Sequence, residues 1–195
     1  MLKRYFTRVV NTIKNPAKLI YLVANTDIVN YIPDEIFLKI KYRAILGKRL
    51  DLRNPRTFNE KLQWLKLNDR NSAYIELVDK YKVRQYIATK IGEEYLIPLI
   101  GVWDRFDEID FTKLPKQFVL KCTHDSGGLV ICKDKDKLDI DTAREKINKC
   151  LNRNFYYSGR EWPYKNVKPR IICEKYMVDE SGVELKDYKF LCFNG

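Results

Sequence analysis

The run Phe118–Val130, FVLKCTHDSGGLV, combines residue types that can hold a phosphate. A predicted strand ending in Lys121 leads into a polar loop of small residues, with His124, Ser126, Gly127 and Gly128, and a second strand returns. Glycines let backbone N–H groups approach an anion with no Cβ in the way, and a lysine at the strand end brings a cation to the same oxygens. Lys80, in an Asp79-Lys80 pair on a predicted helix, is either a second such cation or an ordinary surface lysine. The loop is alternatively a plain polar hairpin turn. His124 could instead serve as a general base. However, no Ser or Cys nucleophile with an orienting acid can be placed beside it, which argues against a catalytic triad.

Near the end of the chain, IICEKYM at Ile171–Met177 and ELKDYKFLCFNG at 184–195 offer the other half of a nucleotide pocket. Glu174 lies in an apolar run, where an unpaired carboxylate is costly to bury. It either accepts from the amino edge of a base, next to the Lys175 carbonyl and the Met177 N–H, or it faces solvent or pairs with a basic residue. Ile171, Cys173 and Met177 are expected in the core or on the floor of a base pocket.

The elements that must position these residues follow from periodicity. Leu2, Phe6, Val9, Val10 and Ile13 recur at helical spacing, and a helix begins at Ile32-Pro33-Asp34-Glu35 with Ile36, Leu38 and Ile40 following. Thr57 and Glu60 have capping-box spacing ahead of the apolar stripe Phe58, Leu62 and Leu65. A further helix is predicted from Ala73 to Lys90, carrying Leu77, Val78, Tyr81 and Ile87. Beyond residue 93 the pattern changes to strands: Tyr95–Val102, a hairpin of Gln117–Cys122 and Leu129–Cys132, then Arg170–Met177 and Lys186–Phe193. KDKDK at Lys133–Lys137 reads as an exposed turn. One helix near Asp141, with Thr142 and Glu145 as a second capping box, presents Ala143, Ile147, Cys150 and Leu151 to a core. Fold class is therefore α+β, with a basic helical region over 1–70 before an antiparallel sheet with packed helices over 71–195. Asn194-Gly195 is a hairpin dipeptide with nothing after it to pair, so the expectation is of a truncated sheet.

Composition sets the class. With 195 residues, 45% hydrophobic, 32% charged and 13 Tyr, the chain can bury a core and is not a disordered tail. The five cysteines form no C-x-x-C pair, and with one histidine a Cys/His zinc site is disfavoured. Reduced thiols fit a cytoplasmic protein. No apolar run approaches the roughly 20 residues of a membrane span, and the stretch after Pro16 lacks the apolar region of a signal peptide. The net charge of +11 is concentrated in residues 1–66, with 14 Lys/Arg against 5 Asp/Glu. Such a face suits an acidic glycan, an anionic membrane surface or simply solvent. No nucleic-acid recognition motif accompanies it, so no specific nucleic acid is expected.

The order DK, LPKQFVLKCTHDSGG, IICEKYM, DYKFLCFNG is similar to the ATP-grasp superfamily. It resembles the TupA-like branch, which is associated with teichuronopeptide and other bacterial surface-polysaccharide biosynthesis. The resemblance covers roughly residues 71–195, and H-D-S-G-G together with DYKF–C-F-N-G narrows it to the branch. It implies that ATP lies between two α+β subdomains. Lys80 and Lys121 would meet the α/β-phosphates, and His124, Ser126, Gly127 and Gly128 would form the phosphate flap. Glu174, Lys175 and Met177 would hold adenine, with Glu184 or Asp187 at the ribose and Lys189 directed into the cleft. The implied chemistry is phosphorylation of a carboxylate by ATP with Mg2+, then attack on the acyl phosphate by an amine. The substrate would be a polysaccharide precursor or an amino acid. The place would be the cytoplasm, with peripheral association at the inner face of the membrane beside glycan assembly. The magnesium ligands and the catalytic arginine of the family would follow Gly195. The alternative is a truncated, non-catalytic homologue that binds an acidic glycan or membrane surface. A kinase-like enzyme ranks third, because the G-x-G-x-x-G and H-R-D motifs are missing.

Overall fold

The computed structural model describes residues 30–182, 185–186 and 188–192, and the segment read as helical from Leu2 to Ile13 lies outside them. The described chain is α+β, with helices preceding a four-stranded antiparallel sheet. Its elements are α1 (Asp34–Leu46), α2 (Phe58–Asn68), α3 (Ala73–Val78), α4 (Val83–Ile91), β1 (Leu99–Trp103), β2 (Phe118–Cys122), β3 (Leu129–Cys132), α5 (Ile140–Leu151), α6 (Tyr156–Gly159) and β4 (Ile171–Lys175). They cluster into two compact units. One holds the described residues up to Val78 together with Asn154–Val167; the other holds Asp79–Arg153 and the described residues from Lys168 onward.

In the first unit, α1 carries Asp34 and Glu35 in its first turn, where the helix dipole favours them, and ends at Gly47 with a left-handed φ of 67°. It buries Phe37, Leu38 and Tyr42, whereas Ile36 and Ile40 are exposed. Residues two apart cannot share a face of an α-helix, so Ile36, Leu38 and Ile40 never formed one stripe. Leu50 completes this small core. Asp34 lies 3.1 Å from Nε of the fully buried Arg160 and accepts from the Tyr156 hydroxyl. Arg160 also donates to the Ile32 carbonyl at 3.1 Å, and its guanidinium sits 4.3 Å from the Phe37 ring centre. The capping box of α2 is present: Thr57 Oγ1 accepts from the Glu60 N–H at 3.3 Å, and Glu60 accepts from the Thr57 N–H at 2.9 Å.

The helix read as continuous from Ala73 to Lys90 is two helices. Asp79 interrupts it, accepting from the N–H groups of Tyr81 at 2.9 Å and Lys82 at 3.3 Å and pairing with Arg170 at 3.3 Å. An aspartate that satisfies the N–H groups ahead of it competes with the helical ladder, so α4 starts afresh. Lys80 therefore lies in the break and not on a helix.

In the second unit the sheet order is β1-β4-β2-β3, with every pair antiparallel. β1 begins only after Pro98, and its register shifts between Leu99 and Gly101. Phe118, Leu120 and Cys122 of β2 alternate inward onto Ala143, Ile147 and Cys150 of α5. The N-cap of α5 is Asp139, whose side chain accepts from the Thr142 N–H at 3.0 Å; Thr142 is already inside the first turn and caps nothing. β4 ends at Lys175, two residues short of its expected end, and the described residues 185–186 and 188–192 form no strand. Tyr188, Phe190 and Leu191 are exposed there. Aromatic residues favour a strand only through the neighbours they pack on, and among the described residues none pairs with this segment.

Candidate functional site

The register of β2 and β4 places the strand-end groups on one face. Lys121 stands opposite Ile172 and Val119 opposite Glu174, so Lys121 and Glu174 are diagonal neighbours on the side of the sheet away from α5. Lys121 Nζ lies 2.6 Å from Glu174 Oε2, and Arg84 Nη1 lies 3.0 Å from Oε1. The Glu174 side chain is 8% exposed, Arg84 15% and Lys121 29%, so the carboxylate is buried while one of its two cations reaches solvent. Arg84 also donates to the Ile97 carbonyl at 2.6 Å. Of the readings open for Glu174, pairing with basic residues is the one the unliganded chain adopts. Beside it, the Lys175 N–H donates to the Pro98 carbonyl at 3.0 Å, and the Lys175 and Met177 side chains are exposed.

The loop after β2 is fixed from below. Thr123 exchanges bonds with the residues ahead of β4: its N–H donates to the Arg170 carbonyl at 2.9 Å and its hydroxyl to the Lys168 carbonyl at 3.2 Å. His124 is buried, and its Nε2 lies 3.1 Å from the Cys150 carbonyl and 3.0 Å from the Arg153 carbonyl. With two carbonyls facing it, Nε2 is the donor, and Nδ1 has no hydrogen-bond partner among the described residues. The ring thus secures the end of α5. The buried Asp125 carboxylate accepts from Arg153 at 2.6 Å, from the Ser126 N–H at 2.6 Å and from the Cys150 thiol. Burial pushes the Asp125 carboxyl up, but the Cys150 and Arg153 hydrogen bonds outweigh it and hold the group below its usual range.

Above that anchor Gly127 is open. Gly127 has a φ of 121°, a conformation that suits glycine, and space for a ligand lies beyond its Cα. Gly128 is the tight one: a Cβ there would sit 2.1 Å from Cys150 Sγ and 3.2 Å from Cys122 Sγ. Ser126 is exposed beside Gly127. Lys80 joins the loop from the helix break, its N–H donating to the Thr123 carbonyl at 3.1 Å and its ammonium to the Asp125 carbonyl. Burial lowers its pKa from the ordinary lysine value.

Lys80, Lys121, the 124–128 loop and Glu174 are thus brought together within the second unit. Lys189 is exposed outside the sheet, and Glu184 and Asp187 lie outside the described residues. Asp79, Arg84, Asp125, Arg153 and Arg170 are the structural contributors that sequence reasoning missed. Asp125 had a signal, its place in the HDSGG motif; Arg84 had none, standing 90 residues from its partner. Among the described residues no cluster of His, Cys, Asp or Glu could hold a metal ion, so magnesium has no described ligand set here.

The second unit is α+β, with Lys121 near the end of β2 and a glycine-containing loop directly after that strand. The model of the family described as TupA-like ATPgrasp matches residues 60–195, and the chain belongs to that family. No curated protein and no solved structure matches the chain. No helix among the described residues is long and apolar enough to cross a membrane.

Proposed function

We propose that the second unit binds ATP, with the triphosphate over the Gly127–Gly128 loop and the base beside Glu174. The complete reaction is then that of an ATP-dependent carboxylate–amine ligase in bacterial cell-surface polysaccharide synthesis. The observation that carries the reading is the placing of Lys80 against the loop that follows Lys121, with open space beyond the Cα of Gly127. Two ammonium groups beside an open glycine suit phosphate oxygens. Lys80 and Lys121 each have a carboxylate or carbonyl partner that a phosphate can replace. Lys175 and Met177 border the base through their backbone, and Glu184, Asp187 and Lys189 are assigned to the ribose and cleft from family membership alone. The reaction class, the magnesium and the polysaccharide acceptor are proposed on family membership alone.

Calorimetric titration of ATP into the chain tests the reading. Binding is expected, and Lys121→Ala is expected to weaken it by about 1.5–3 kcal/mol, the scale of a charge-assisted hydrogen bond. No ATP binding by the wild-type chain, or equal affinity in the variant, would remove the assignment.

A further inference from the structure

We propose that Arg84 is a positioning residue that keeps Glu174 paired and aimed when Lys121 moves to phosphate, and so makes the site select a 6-aminopurine nucleotide. The inference rests on the ATP reading above and adds to it a residue and a selection rule. In the unliganded chain each Glu174 oxygen has its own cation, Lys121 at Oε2 and Arg84 at Oε1. The two cations are anchored differently. Lys121 is tied to Glu174 alone among the described residues, on a flexible stem that is partly exposed. Arg84 is clamped at two points, Glu174 and the Ile97 carbonyl, and is less exposed.

A triphosphate competes with Glu174 for the lysine and not for the arginine. Once Lys121 turns to phosphate oxygens, Oε2 is a buried acceptor without a donor, a costly state. An exocyclic amine on the base satisfies it; the carbonyl oxygen of a 6-oxopurine repels it. This exchange works only if the carboxylate keeps a partner and its rotamer after the lysine has gone. Arg84 supplies both, because its planar fork holds two acceptors, Glu174 and the Ile97 carbonyl, at fixed angles.

The test is calorimetric titration of ATP and of ITP, which differ at the 6-position of the purine, into wild-type chain, Arg84→Met and Arg84→Lys. Wild-type chain is expected to favour ATP, and Arg84→Met to lower the ATP:ITP affinity ratio by about ten-fold or more, the scale of one hydrogen bond to a charged group. A residue that merely supports folding would lower both affinities and leave the ratio alone, and that outcome overturns the inference. If Arg84→Met does not fold, Arg84→Lys decides: it keeps the charge but not the fork, so a reduced ratio supports the proposal and an unchanged one overturns it. Failure of wild-type chain to bind ATP would instead remove the nucleotide reading itself, a result distinct from binding without an Arg84 effect.

Discussion

At the strand end and at the loop, the candidate site sets a lysine near a buried carboxylate, and the two are built in opposite ways. At the strand end the carboxylate of Glu174 is held, among the described residues, by side chains that arrive from elsewhere, Lys121 and Arg84. At the loop, Asp125 is held by its neighbour's N–H, by Arg153 and by the Cys150 thiol, while Lys80 bonds the Asp125 carbonyl and not its carboxylate. The first arrangement has a partner that can leave without stranding the charge. The second has its carboxylate fully engaged in holding the backbone in place. One end is suited to exchange, the other to pre-organisation.

The strongest way to break that comparison is to strip the strand end. Replacing both Lys121 and Arg84 by Met leaves Glu174 buried and unpaired, with an expected stability loss of about 3–5 kcal/mol. Each single replacement should cost much less, because the other cation remains. Chemical denaturation of the singles and the double gives the coupling directly; additive losses would show that the two cations do not share the carboxylate.

The loop end is sharpened by Gly128→Ala. The new Cβ meets Cys150 Sγ at 2.1 Å and Cys150 Cβ at 2.8 Å, so either the loop or α5 must shift. Overpacking of this kind costs about 1–3 kcal/mol. Cys150→Ala should recover part of the loss in the double variant, although it also removes the thiol from Asp125. A Gly128→Ala chain as stable as wild type would mean that the loop is not pressed on α5.

The smallest effect is in acid. Asp125 has a depressed folded-state pKa, so its contribution is fully present above the unfolded value of about 3.9 and is lost as pH falls through the folded value. Urea midpoints followed downward from neutral pH should fall less steeply below about pH 4 in Asp125→Asn than in wild type. An identical acid limb would show that Asp125 titrates as it does in the unfolded chain.

Where a feature was set by nearby residues, the sequence revealed it. The Thr57–Glu60 box, the β2 and β3 hairpin and the buried face of α5 depend on spacings of two to four residues, and they appear where the pattern places them. Lys121 and the glycines were legible for the same reason. Asp79 was misread because apolar periodicity continues across it, while its side chain competes for the very N–H groups the helix needs. The aromatic run after Gly182 has strand propensity and no described neighbour to realise it. Arg84 as a partner of Glu174 was invisible, since no local pattern ties two residues that stand 90 positions apart.

The division of the chain has a consequence for how the protein comes off the ribosome. The Asp34–Tyr156 contact spans 122 positions. In the sheet, β4 separates β1 from β2, although it is the last of the described strands to be made. A nascent chain that has emerged only to α5 therefore holds a first unit lacking Tyr156 and Arg160 and a sheet lacking its middle strand. Both units wait for the same late segment, from Asn154 to Lys175. Closing such distant contacts is slow compared with forming helices or a hairpin. Until that segment arrives, the β2–β3 hairpin presents an unpaired edge, a natural place for a chaperone to hold the chain.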